Sequence, residues 1–190
     1  MANTNASFGL RPIGHLHNGD PQLSPYKIAS ANGTALGRGD LVKLTGTSRN
    51  IAAAAAGDTT VIGVFAGVEY NNSDGQRVWT DYWPASATGT NIVAYVWDDP
   101  FILFEAQADS YAETDQGALC DIVVGTPSSS KCRSTSYAEV SSTATNGKTL
   151  RIEGLIERVD NAVGAYAKIK VSFAEHARLT PHSGTGGQGV

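Results

Sequence analysis

The chain has 190 residues, of which 41% are hydrophobic and only 17% charged, with 21 glycines and a formal net charge of −4. That length admits one domain with a buried core plus short tails, and the many small residues favour strands and tight turns over long charged helices. The acidic balance, with a pI near 5.5, leaves no cation excess to neutralise phosphates, so nucleic acid is excluded as a partner.

No basic segment leads into an apolar signal-like run, and no stretch approaches the roughly 20 apolar residues of a membrane helix. The sequence therefore predicts no membrane partner and a chain made and kept in a cytosol-like compartment. Cys120 and Cys132 are then expected as reduced thiols.

In chain order, residues 1–27 predict an extended N-terminal arm. Asn3, Asn5, Gly9, Pro12 and Gly14 interrupt any helix, while Phe8, Leu10, Ile13 and Leu16 are apolar anchors too sparse for a core of their own. Such an arm is expected either to stay disordered or to gain its order from a neighbouring subunit. Residues 24–28 enter a body spanning 28–176. Glycines ahead of the apolar stretch in 35–44 predict a turn feeding a strand. Ala52 to Ala56 are too few for an isolated helix, so strand or loop is expected.

Residues 61–70 alternate as a strong strand, with Ile62, Val64, Ala66, Val68 and Tyr70 expected on the inward face. The turn-rich 71–75 and the strand-like 77–83 complete a hairpin. A second hairpin is expected from 91–97 and 101–108 across Asp98-Asp99-Pro100. Residues 111–117 predict a connection or a single helical turn, and 118–124 a strand. If the runs flanking 126–130 pair, Cys120 and Cys132 fall near one another, so a disulfide is conceivable but not required. Residues 149–159 and 165–174 form the last pair, and 177–190 a flexible glycine-rich tail. Strands joined by short turns without alternating helices define the expected fold class: mainly β, a single antiparallel β-sandwich or barrel.

The chemistry-bearing motifs resolve mostly to structure. Arg38-Gly39-Asp40 spells an adhesion tripeptide but sits where a turn enters a strand. Asn5, Asn32 and Asn71 begin glycosylation sequons, which stay idle without secretion. His15 and His17 make half a metal site that no further ligand motif completes, and Asp98 and Asp99 fit a turn better than a carboxylate pair. There is no G-x-S-x-G elbow, P-loop or H-E-x-x-H, so the sequence predicts a non-enzyme with no cofactor and no metal. Trp79, Tyr82, Trp83 and Trp97 are candidate interface aromatics, because consecutive Tyr82 and Trp83 cannot both face a core.

The opening Asn5-Ala6-Ser7-Phe8-Gly9-Leu10-Arg11-Pro12 resembles the start of small structural proteins of tailed bacteriophages. So do Ile62-Gly63-Val64-Phe65, Gly67-Val68-Glu69-Tyr70, Asp98-Asp99-Pro100 with Phe104-Glu105, residues 151–157 and residues 171–176. The resemblance, which spans most of the chain, implies a head decoration, or cement, protein on the outside of an icosahedral capsid. Its partners would be the major capsid protein and further copies of itself, as trimers, and Phe8, Leu10, Arg11, Pro12, Ile13 and Leu16 would form the capsid-contact arm. The competing expectation is a carbohydrate-binding or host-attachment module that uses Trp79, Tyr82, Trp83 and Trp97 as a stacking platform. A third, a hydrolase, would need Glu69, Asp81 and Glu105 to converge.

Overall fold

A computed structural model describes residues 3–46, 49–55, 57–58, 61–144 and 148–179. The described residues contain fourteen strands and one short 3-10 turn (Glu113–Asp115). One sheet contains β2 (Ser24–Ile28), β4 (Leu41–Thr45), β5 (Asn50–Ala53), β6 (Val61–Asn71), β7 (Arg77–Thr80) and β9 (Thr90–Trp97), in the order β4-β5-β2-β9-β6-β7. An added β4–β6 pairing closes five of these strands into a barrel, which removes their free edges. The second sheet runs β1 (Arg11–His15), β10 (Ile102–Gln107), β14 (Lys168–Phe173), β13 (Leu150–Leu155), β11 (Leu119–Val123) and β12 (Tyr137–Ala144). It curls until an isolated bridge joins Ala108 to Ala138. The short β3 (Leu36–Gly37) and β8 (Tyr82–Trp83) pair beside the barrel. The mainly β barrel body expected from the sequence is thus present, antiparallel throughout the named strand pairs except β2 with β5. Among the described residues no helix is long and apolar enough to cross a membrane.

Strand β6 is the wall between two cores. Ile62, Phe65 and Val68 pack inside the barrel with Tyr26, Val42, Trp83 and Val96. Val61, Val64 and Ala66 face the second sheet and join Leu10, Phe104, Ile152 and Val171. The expected single inward face is therefore corrected: both faces are buried, and strict alternation fails twice. Ile62 is an extra residue opposite β4 and Ala66 an extra residue opposite β9, and each bulge reverses which way the following side chains point. Gly63 sits at φ 155°, where a Cβ would run into the Trp97 carbonyl, and a Cβ on Gly67 would meet the Trp79 ring at 2.6 Å. The two glycines let backbone and ring approach the shared strand closely.

One predicted pairing changes. Strands β6 and β7 form the expected hairpin, and β13 with β14 the expected last pair. By contrast β9 and β10 are not a hairpin, because both edges of β9 are already occupied, by β2 and β6. The Asp98-Asp99-Pro100 link instead carries the chain from the barrel to the second sheet. Asp98 is pinned there, accepting hydrogen bonds from Ser24 Oγ (2.8 Å), Tyr26 OH (2.8 Å) and Arg178 (2.6 Å).

The boundaries drawn at 28 and 176 also move outward. The first strand, β1, is an integral edge of the second sheet, paired with β10, so the predicted arm belongs to the body. At the other end, His176 is fully buried, Ala177 N donates to Val61 O (2.7 Å), and Arg178 reaches Asp98. Residues 177–179 are therefore fixed in the body; the rest of the predicted tail, 180–190, lies outside the described residues.

Candidate contact surface

The six residues expected to form a capsid-contact arm divide into two groups. Leu10 is 1% exposed and lies in the core between the sheets; its amide donates to Gly39 O and that of Gly9 to Ser136 O, both at 2.9 Å. Phe8 is buried beneath the Arg11 guanidinium, 4.7 Å from the ring centroid. The segment is tied further by Asn3, whose side-chain amide donates to Ala162 O and Ala165 O at 2.8 Å each, and by Gln107, which bonds Asn5 and Ala6. Phe8 and Leu10 are thus removed from the set of external anchors. Residues too sparse for a core of their own have been recruited singly into someone else's.

Ile13 and Leu16, by contrast, are 43% and 46% exposed. Pro12 pairs opposite Phe104, and the register shifts between Pro12 and Gly14, so Ile13 is the extra residue of a bulge in the edge strand. A proline and a bulge blunt an edge against pairing with another strand, which leaves side chains rather than backbone as the contact chemistry. Leu16 N donates to Phe101 O at 2.9 Å, and the exposed Phe101 ring lies edge-on to His17, centroids 4.8 Å apart. Next to them His15 Nε2–H donates to Asp99 Oδ2 at 3.1 Å while its Nδ1 accepts from the His17 amide. Partial burial works against the charge on Asp99, but the Phe101 amide and His15 outweigh it and hold the carboxyl below its ordinary range. His15 and His17 are thus committed to this turn, and among the described residues no cluster of His, Cys, Asp or Glu is arranged to hold a metal. Ile13, Leu16 and Phe101 are thus exposed apolar residues of this edge, with the His15 and His17 rings beside Phe101. Sequence reasoning missed Phe101; its place directly after Asp99-Pro100, at the mouth of a strand, was the available signal.

The candidate interface aromatics do not form a row. Trp83 is completely buried in the barrel, edge-on to Tyr70 at 5.1 Å, and Trp97 is buried between the sheets. Tyr82 is half-buried and only Trp79, at 52%, is open. The stacking platform required for glycan binding therefore has a single exposed ring.

Nor do the three carboxylates of the hydrolase reading share a site. Glu69 pairs with Arg77 (2.7 Å), Asp81 with Arg38 (3.4 Å) and the buried Glu105 with Arg158 (2.5 Å). The adhesion tripeptide is closed as well: Asp40 is buried, accepting from Gly37 N (2.8 Å) and Ser136 Oγ (3.4 Å), and burial raises its pKa.

Both cysteines are free. Strand β11 pairs with a β12 that starts only at Tyr137, so Cys132 falls in the intervening loop rather than across from Cys120. Burial pushes the Cys120 thiol up to about 12.

No protein-family model matches the chain, and no curated protein matches it.

Proposed function

We propose that this protein is a structural component of a tailed-bacteriophage virion that decorates the capsid exterior and stabilises the icosahedral shell by binding the major capsid protein lattice. It acts without catalysis or cofactor, assembles in the host cytoplasm and clusters with copies of itself, as trimers, around local symmetry axes.

The observation that carries this reading is the exposure of Ile13, Leu16 and Phe101, because Ile13 and Leu16 follow closely on the Asn5–Pro12 run in which the resemblance to phage structural proteins begins. A stiff body offering a small apolar contact suits a lattice clamp, since repeated copies turn weak contacts into high avidity. Each bound copy favours the intact lattice by mass action.

The test is direct. Purified particles should contain the protein in near-stoichiometric ratio to the major capsid protein by mass spectrometry. Shells lacking it should assemble, yet rupture at lower temperature or on osmotic shock than shells to which it is added back. An Ile13→Ser/Leu16→Ser protein, still folded because both side chains are exposed, should protect less. Shells equally robust without the protein would remove the cement role.

A further inference from the structure

A second feature lies on the other side of the N-terminal segment. A pocket of about 280 Å³ is lined by Phe8, Leu10, Pro12 and Trp97, with four of the chain's 14 lysines and arginines, Arg11, Arg38, Lys131 and Arg133, around it. Asp81 is the one carboxylate among the lining residues. In a chain of net charge −4 this is a local reversal of sign, formed from five separate stretches of sequence.

The cations are held in place by the fold. The Arg38 guanidinium lies over Trp97, 5.4 Å from the ring centroid, and Arg11 lies over Phe8. Such stacking fixes the plane of a guanidinium while leaving its N–H edge for an acceptor. Arg38 and Arg133 are joined by a backbone bridge, Ser134 N donates to Arg38 O (2.8 Å), and Ser128 N donates to Arg133 O (2.9 Å). Between Lys131 and Arg133 stands Cys132, at φ 51°, with its Sγ 3.5 Å from Ser129 O. A non-glycine residue held in the left-handed region stores local strain, which persists where the surroundings over-determine it. Here it places two cations on either side of one turn.

Arg38 meets Asp81 and Arg11 approaches Glu105 at 3.6 Å. Among the described residues no ion pair involves Lys131 or Arg133. The pocket thus carries a surplus of donors and positive charge beside apolar walls.

We infer that this pocket receives an acidic side chain of a protein partner: a carboxylate set against Arg38, Lys131 and Arg133, with an apolar neighbour lying on Pro12. The forked guanidinium edges match a planar carboxylate. The volume admits one or two side chains, and the chain's net charge of −4 opposes the approach of a long polyanion such as nucleic acid. This deepens the decoration reading and rests on it only for which protein supplies the segment.

The experiment uses the full chain and three probes: the capped peptide Gly-Glu-Leu-Glu-Gly, the same peptide with Gln for Glu, and inorganic phosphate. Side-chain N–H resonances of Arg11, Arg38 and Arg133 and the Trp97 indole report binding by NMR. The Glu peptide should shift them saturably. The Gln peptide should bind about ten-fold more weakly, as loss of charge-assisted hydrogen bonds requires. Lys131→Ser/Arg133→Ser, which removes exposed or half-exposed side chains without ion pairs, should keep the native spectrum and lose the response. No shift with the Glu peptide, or equal shifts with the Gln peptide, overturns the assignment. Phosphate binding as tightly as the Glu peptide overturns it in favour of a free oxyanion site. If the peptide binds and the double variant fails to bind it while both proteins adhere equally to shells, the pocket stands and its partner is a protein other than the capsid lattice.

Discussion

The two ends of the chain are fastened to the same body by different chemistry. The first residues of the N-terminal end, up to Leu10, are held by groups that do not titrate near neutrality: the Gly9 and Leu10 amides, the Asn3 and Gln107 amides, and Leu10 in the core. The C-terminal end is held by ionisable ones. His176 Nε2–H donates to Ile62 O at 2.8 Å, its Nδ1 accepts from the Arg178 amide at 3.2 Å, and the Arg178 side chain closes on Asp98. The contrast teaches that the fastening of residues 3–10 does not depend on a proton, whereas that of residues 176–178 does.

The largest expected effect breaks the N-terminal fastening. Leu10→Ala should cost about 2–5 kcal/mol, since a fully buried leucine leaves a cavity. Thermal melting should then fall by about 2–4 °C per kcal/mol for a chain of this size. A change below measurement error would mean that the segment lies on the body without being part of it.

Next is Arg178→Ala, which leaves the buried Asp98 carboxylate, among the described residues, with Ser24 and Tyr26 as donors. The expected cost is about 1–3 kcal/mol, towards the low end because the arginine is half exposed and screened by solvent. Chemical denaturation measures it; a loss equal to that of Leu10→Ala would erase the distinction between the two ends.

Acidification sharpens the comparison further. Burial, reinforced by Arg178, lowers the pKa of His176, so the folded form binds its proton less readily than the unfolded chain does. The stability it contributes is complete above the ordinary imidazole range and is lost as pH falls through the lowered folded value. Between about pH 7 and about pH 5, the protection factors of the Ala177 and Arg178 amides, corrected for the intrinsic pH dependence of exchange, should fall, while that of the Ala162 amide bonded to Asn3 Oδ1 (3.0 Å) should not. A parallel loss of protection at both ends would contradict the account.

The smallest effects concern the thiols. With its pKa pushed up by burial, Cys120 should resist alkylation in the native protein, whereas half-exposed Cys132 should react. Cys132→Ser should leave stability within about 0.5 kcal/mol.

Most strands were legible in the sequence because their signals are local: turn-rich 71–75 between two alternating runs, or the paired apolar runs that became β13 and β14. What failed were inferences that need knowledge of who else competes for an edge. Nothing between 91 and 108 says that β2 and β6 will take both sides of β9, and so the apparent hairpin had no free partner. Burial of β6 on both faces is likewise a property of two sheets meeting, although Gly63 and Gly67 marked where its alternation breaks. The arm was misjudged for the same reason. Its composition excludes a core of its own but is silent on whether another core has room for Leu10. Of the contact surface, Ile13 and Leu16 were legible as apolar residues outside any amphipathic pattern. Lys131 and Arg133 were not, since only the fold brings a serine-rich loop beside Arg38.

Because β6 contributes side chains to both cores, the two halves cannot melt separately. Loosening either sheet strips neighbours from a strand on which the other depends. Scanning calorimetry should accordingly record a single transition whose van't Hoff and calorimetric enthalpies agree. A load applied at the β1 edge would likewise be resisted by the far barrel as well as by the sheet it pulls on.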